Sequence, residues 1–281
     1  MLNHAKRGKR YIVLFQFLCD ESYDSLPDGA MRPKGQAFGF EPKSYVVAGF
    51  FSDDKTWGVV EKEWMVINRH FGVQQFHASH LNGRRCEFEG WEREKQIGYS
   101  KSLLKIIGDQ GKRMHVVSCG ILADEYRSIV NEEGRKKLGH PYLACFKTCV
   151  ALIAKEMDGF PPGDRFAVVV DQNQFDMQAV KAFYDMKDDV NFKYRSRLAR
   201  CTPGSMQEII PLQTADLVAY EVFKRLHDRS TKESEMRKVL ARLLKENGVS
   251  ERIFGIQSLK NLKHQIESIV CSPDRLVIIP S

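Results

Sequence analysis

Residues 11–22 read YIVLFQFLCDES. From Tyr11 to Cys19 the residues are aromatic, β-branched or long and apolar, with Gln16 as the exception and no helical period. Such a run reads as a strand buried on both faces. It stops on two acids, Asp20 and Glu21. In open α/β sheets the ligand crevice lies beyond the carboxyl ends of the strands, so an acid there is a candidate site residue. Successive strand residues point to opposite faces, so Asp20 and Glu21 cannot both line one site. The preceding KRGKR imitates the basic start of a signal peptide. The apolar run is short, however, and acids follow it instead of a small-residue cleavage site, which favours a strand.

Working outward, residues 24–43 are rich in Gly, Pro and charge and read as a long loop. SYVVAGFFS (44–52) is a second strand; Asp53 or Asp54 then caps a helix that runs to Gly72. QQFHASHLNG (74–83) reads as irregular or briefly extended, 91–107 as a helix and MHVVSCGIL (114–122) as a strand. Pro141 opens a helix over 140–157. RFAVVVDQN (165–173) is a buried strand ending at Asp171, followed by a helix over 175–187. In NFKYRSRL (191–198), Phe192, Tyr194 and Leu198 alternate with Lys193, Arg195 and Arg197, which predicts a strand with one basic face. After the turn CTPGS, a helix starts near Pro211. The stretch 231–270 reads as basic amphipathic helix, with Ile253, Ile256, Leu259, Leu262 and Ile266 as its apolar stripe. Strands alternating with helices predict an α/β domain over 11–228. A helical extension over 229–281 would pack on or beside it, or serve as a homo-oligomer interface.

The composition is that of a globular chain: 281 residues, 43% hydrophobic and 28% charged. No run approaches the roughly 18 apolar residues of a membrane helix, so no membrane partner is expected. Seven cysteines without a CxxC pair suggest a reducing, cytoplasmic setting. Cys145 and Cys149 share a helix face and read as small core residues. The net charge of +7 favours an anionic partner such as nucleic acid.

Asp216 is the most informative single residue. Leu212, Ala215, Ala219, Val222, Phe223 and Leu226 form one apolar stripe, and Asp216 falls inside it. A carboxylate on a core face needs a cation, a metal or backbone donors, because an uncompensated buried charge costs several kcal/mol or more. Gln213 stands at the edge of the same stripe. Asp171 follows its strand with Asn173 available to cap the turn, which leaves Asp171 free for a ligand. Asp20, Asp171 and Asp216 together are hard oxygen donors of the kind that hold Mg²⁺ or Mn²⁺. Paired ions of this type cleave phosphodiesters. Lys193, Arg195, Arg197 and Arg200 could grip the phosphates. His77 and His80 lie three apart without an HExxH partner; a single His as proton donor or phosphate contact suits the site better than zinc. There is no GxxxxGK phosphate cradle, no dinucleotide fingerprint after a strand and no GxSxG elbow.

In order along the chain, YIVLFQFLCDES, YVVAGFF, FHASHL, FAVVVDQN and IIPLQTADLVAYEVF resemble the bacterial family called domain of unknown function 3800, from about residue 11 to 226. The Gln–x–x–Asp pair within an apolar helix is the most specific element, and DES the next. The resemblance implies a ribonuclease-H-like mixed sheet flanked by helices and a metal-dependent nuclease (a hydrolase). It marks Asp20, Glu21, His77, Asp171, Gln213 and Asp216 as site residues, with Asp20 on the central first strand and Asp216 on a late helix. Two departures stand out. Tyr23 follows Ser22 where the family commonly has Gly, and Gln74 and Gln75 stand where an acid commonly precedes the His motif. The incomplete acid set leaves a second expectation open: a non-catalytic module that binds nucleic acid or a partner on the same fold.

Overall fold

The computed structural model describes residues 14–23, 42–231 and 238–254. Two long strands come first, β1 (Leu14–Tyr23) and β2 (Ser44–Asp53), then helices α1 (Asp54–Phe71), α2 (Ala78–Gly83) and α3 (Arg93–Gln110). Strand β3 (His115–Leu122) leads into α4 (Ala123–Ile129), α5 (Glu132–Leu138) and α6 (Pro141–Glu156). The chain continues through β4 (Arg165–Asp171), α7 (Asp176–Asp188), β5 (Leu198–Gly204), α8 (Leu212–Thr231), α9 (Lys238–Glu246) and β6 (Gly248–Phe254).

The sheet order is β5-β4-β1-β2-β3-β6. β1 is central, parallel to β4 and antiparallel to β2. Alternation along its buried residues feeds two cores. Leu18 joins Val46, Ala48 and Val169 beneath α8, with α1 and α3 completing that layer. Phe17 and Cys19 join Val47, Val168 and Val170 beneath α6 and α7. The result is a mixed α/β sheet flanked by helices. Cys145 and Cys149 are core residues as expected, their thiols donating to the Tyr45 and Val47 carbonyls. The predicted caps form as well. The Asp53 carboxylate accepts from the Thr56 amide, and α1 stops at Gly72 in the left-handed region, φ 74°.

Four expectations change. First, β1 does not stop at the acids: β2 pairs with it as far as Tyr23–Tyr45, whereas β4 leaves it at Cys19–Val170. Asp20 therefore sits inside the strand, at the level where its parallel neighbour ends. Second, residues 191–197 are turns and a short 3₁₀ segment rather than a strand; the strand is Leu198–Gly204, which the sequence placed partly in a turn. Pro203 is tolerated because β5 is an edge strand. Third, QQFHASHLNG contains the short helix α2. Fourth, the C-terminal segment is not purely helical. Gly248–Phe254 adds to the sheet parallel to β3, with Ile253 opposite Gly120, so a boundary at 228/229 does not separate a helical appendage. α9 packs back on α3 and α8. Ile256, Leu259, Leu262 and Ile266 lie outside the described residues.

Arg197 explains the second change. It is buried, and its guanidinium donates to the carbonyls of Phe160, Pro161 and Asp164. These bonds hold the loop that enters β4. Arg197→Ala would take a donor from all three carbonyls, although Pro161 O keeps the Asp164 amide, and we expect a loss of about 2–3 kcal/mol, read as a lower denaturation midpoint with an unchanged slope.

Candidate functional site

The site is built where α8 grips an extended strap, residues 76–78, with two side chains. Gln213 is fully buried, and its Oε1 accepts from the Phe76 amide at 3.2 Å. Three residues on, Asp216 Oδ2 accepts from the Ala78 amide at 2.7 Å. Helical spacing of three puts Gln213 and Asp216 on one face. The alternate amides of an extended strap match that spacing, and His77 between them has φ −135° and ψ 121°. Its Nδ1 consequently lies 3.6 Å from Asp216 Oδ2. The compensation demanded by Asp216 is thus the first amide of α2 plus an imidazole; its side chain keeps 14% exposure toward the site.

Gln213 is the hub of a buried polar network and touches no open surface. Its Oε1 also accepts from Trp64 Nε1 (2.9 Å) and Asn68 Nδ2 (3.1 Å), and its Nε2 donates to the Met206 carbonyl (3.1 Å). Asn68 in turn accepts from the Tyr99 hydroxyl at 2.7 Å. Marked as a site residue by the resemblance, Gln213 therefore acts by positioning, through the strap.

Asp20 and Asp171 complete the acid set. Asp20 pairs with Ala48 and shares the face of Leu18, which α8 covers; it is 8% exposed. Asp171 ends β4 on the face of Val169, the same face. Burial pushes its carboxyl up to about 6, and the Asp216 charge adds to the rise, although the Gln172 and Met206 amides donate to it. Asn173 makes the turn, as expected: its Oδ1 accepts from the Phe175 amide and its Nδ2 donates to the Asp171 carbonyl. Glu21 pairs with Val47 in the ladder, and its side chain lies outside the described residues.

The Asp216 carboxylate 3.6 Å away raises the imidazole pKa, against the opposing effect of burial. Gln75 Nε2 lies 2.8 Å from His77 Nε2, so with the amide donating, the ring proton sits on Nδ1 and faces Asp216. The His80 ring is 4.9 Å from that of His77, and burial lowers its pKa, with the charge of His77 adding to the effect. Glu87 accepts from the Gln74 amide at 2.7 Å and the Gln75 amide at 3.2 Å, tying the strap down from its other side.

The basic group is elsewhere. Leu198 pairs with Phe166 and Gly204 with Asp171, so Lys193, Arg195 and Arg197 precede the amino end of β5. Five strand residues separate that end from Asp171, roughly 17 Å. Arg197 is spent on carbonyls, and Lys193 lies 3.9 Å from Asp158. Arg200 is exposed partway along the edge strand. Lys193, Arg195 and Arg197 thus stand well away from the acids, with Arg200 nearer to them.

Sequence reasoning missed Gln75, Glu87, Trp64 and Asn68. Asn68 had the same signal as Asp216, a polar residue at the buried spacing of Trp57, Val60 and Trp64. Glu87 had none, because its partners are backbone amides brought in by a turn.

The acids are hard oxygen donors of the type a divalent cation takes: carboxylates on one sheet face, with one acid held near 6 by burial and a like-charged neighbour. Among the described residues no group of three His, Cys, Asp or Glu is arranged to hold a metal ion. The linkage has a definite sign. Asp171 binds its proton more tightly folded than unfolded, so stability falls as pH rises from about 4 to about 6 and stays reduced above. We therefore expect Asp171→Asn to stabilise the fold by about 1–3 kcal/mol at pH 7.5 and by little at pH 4, measured by thermal unfolding. An equal effect at both pH values would refute the assignment.

Among the described residues no helix is long and apolar enough to cross a membrane. No family model, curated protein or solved structure matches this chain.

Proposed function

We propose that this site hydrolyses phosphodiester bonds in nucleic acid with the help of Mg²⁺ or Mn²⁺, on a ribonuclease-H-like scaffold of the kind found with domain of unknown function 3800. One observation carries the reading: Asp171, its carboxyl pushed up to about 6, shares a sheet face with Asp20 and stands beside Asp216. Clustered carboxylates repel one another, and a hard cation relieves that repulsion. Asp20, Asp171 and Asp216 would hold the ion, which when bound would neutralise phosphate charge and lower the pKa of a water. His77 keeps one proton on Nδ1 toward Asp216; in its doubly protonated form, which the Asp216 carboxylate favours, it would give the Nε2 proton to a leaving oxygen that takes the place of Gln75. Gln213 and Glu87 fix the strap on which His77 rides. The central position of β1 and the late position of α8 support the scaffold assignment, because the resemblance puts one acid on each.

The rival reading is a non-catalytic binding module on the same scaffold, favoured by the lack of a closed three-donor group among the described residues. Calorimetric titration of Mn²⁺ into the full chain, with cleavage assays on single- and double-stranded DNA and RNA, separates the two. We expect a saturable heat and cleavage that EDTA stops. Binding of nucleic acid without cleavage under either ion would establish the module instead.

A further inference from the structure

If Lys193, Arg195 and Arg197 lie at the wrong edge, a polyanion over the acids needs other cations. The turn after α2 supplies them. Arg84 and Arg85 are both exposed, and backbone bonds cap the end of α2 there. The Arg84 amide donates to Leu81 O at 3.2 Å, and the Arg85 amide to His80 O at 3.0 Å. The other end of the same helix is the Ala78 amide on Asp216. Six helical residues span about 9 Å. That corresponds to two or three nucleotide steps along a strand, against roughly 17 Å for the other basic group.

The turn is also held in an unusual shape. Arg84 (φ 49°) and Cys86 (φ 54°) are the described non-glycine residues with positive φ. Such residues persist where surrounding structure over-determines them, and they cluster at ligand-contacting turns. Glu87 closes the turn onto the Gln74 and Gln75 amides, and Arg85 lies over Gly83, where an added Cβ would meet its Nε at 2.8 Å. The Arg84 side chain makes no hydrogen bond or ion pair among the described residues, whereas Arg85 has an interaction that phosphate would exchange for its own.

We infer that the turn Gly83–Cys86 is the phosphate-gripping element of this site, with Arg84 and Arg85 contacting the backbone of a nucleic acid whose scissile bond lies over Asp171 and Asp216. This role rests on the nucleic-acid reading above. The recognised group is backbone phosphate, gripped without base specificity.

The test is binding of a labelled oligonucleotide, single- and double-stranded, to the full chain in EDTA across a salt series. Removing one phosphate-binding cation lowers the slope of log affinity against log salt by about 0.7–0.9. The double variant Arg84→Gly, Arg85→Ala should lower it by about 1.5 and weaken binding at least about tenfold near 0.1 M salt. Glycine suits φ 49°, so Arg84→Gly removes the charge while easing the turn, and thermal unfolding should confirm an intact fold. Lys193→Ala with Arg195→Ala should leave the slope unchanged. Wild-type binding with an unaltered slope in the Arg84/Arg85 variant would overturn this inference alone. No binding by the wild type would overturn the nucleic-acid reading with it.

Discussion

If the proposed site is right, Asp216→Asn should abolish divalent-ion-stimulated cleavage, by at least about a hundredfold, and remove the Mn²⁺ heat. Loss of an outer-sphere partner alone costs a metal site about 10–100-fold, so loss of a direct carboxylate should reach or exceed that range. The substitution isolates the charge. Asn keeps the volume, and its Oδ1 can still accept from the Ala78 amide, so the strap stays in place. A second readout needs no activity at all. The Asp216 carboxylate raises the pKa of His77, so in the variant the imidazole should titrate at lower pH, followed by NMR of the ring protons. An unchanged His77 titration would sink the Asp216–His77 pairing; an unchanged Mn²⁺ heat would sink the metal site.

Gln213→Ala acts by a different route and should be the most destabilising substitution in the site. It deletes the acceptor shared by Trp64, Asn68 and the Phe76 amide and the donor to the Met206 carbonyl, all in a dry interior. Each buried polar group left unpaired costs about 1–3 kcal/mol, and some will find other partners, so a total of roughly 3–5 kcal/mol is expected. In a chain of this size that is a fall of roughly 10 °C in Tm. Because the strap loses one of its two grips, His77 should also lose its fixed place beside Asp216. The variant should then show reduced activity with a retained Mn²⁺ heat. A variant as stable as the wild type would mean that the network does not hold the strap.

The contrast between these two residues marks what local sequence could express. Asp216 announced itself as a charge in an apolar stripe, and Gln213 as its neighbour at helical spacing. Nothing in that pattern distinguishes a side chain that faces a cleft from one that holds a loop. Position on α8 decides it: Gln213 meets the indole of Trp64 and the amide of Asn68 from α1, while Asp216, one turn later, emerges beside the end of β4. The same limit explains the basic residues. Alternation over 191–198 was real in composition, but Arg197 turns inward to donate to carbonyls of the loop before β4. That demand exists only once the loop is folded.

What the sequence determined by itself is the set of elements with strong periodic or apolar signals: a buried strand carrying two acids on opposite faces, a capped helix after the second strand and an apolar late helix with one carboxylate. These follow from burial and alternation, which are local properties. Tertiary structure alone decided which acids meet and what holds them. The parallel register that levels Asp20 with the end of β4, the two-point grip of α8 on the strap, the Glu87 clasp and the displacement of the basic group join residues from a dozen to well over a hundred positions apart. Such contacts are chosen by the packing of whole layers, where each buried donor must find an acceptor, and no short stretch of sequence carries that constraint.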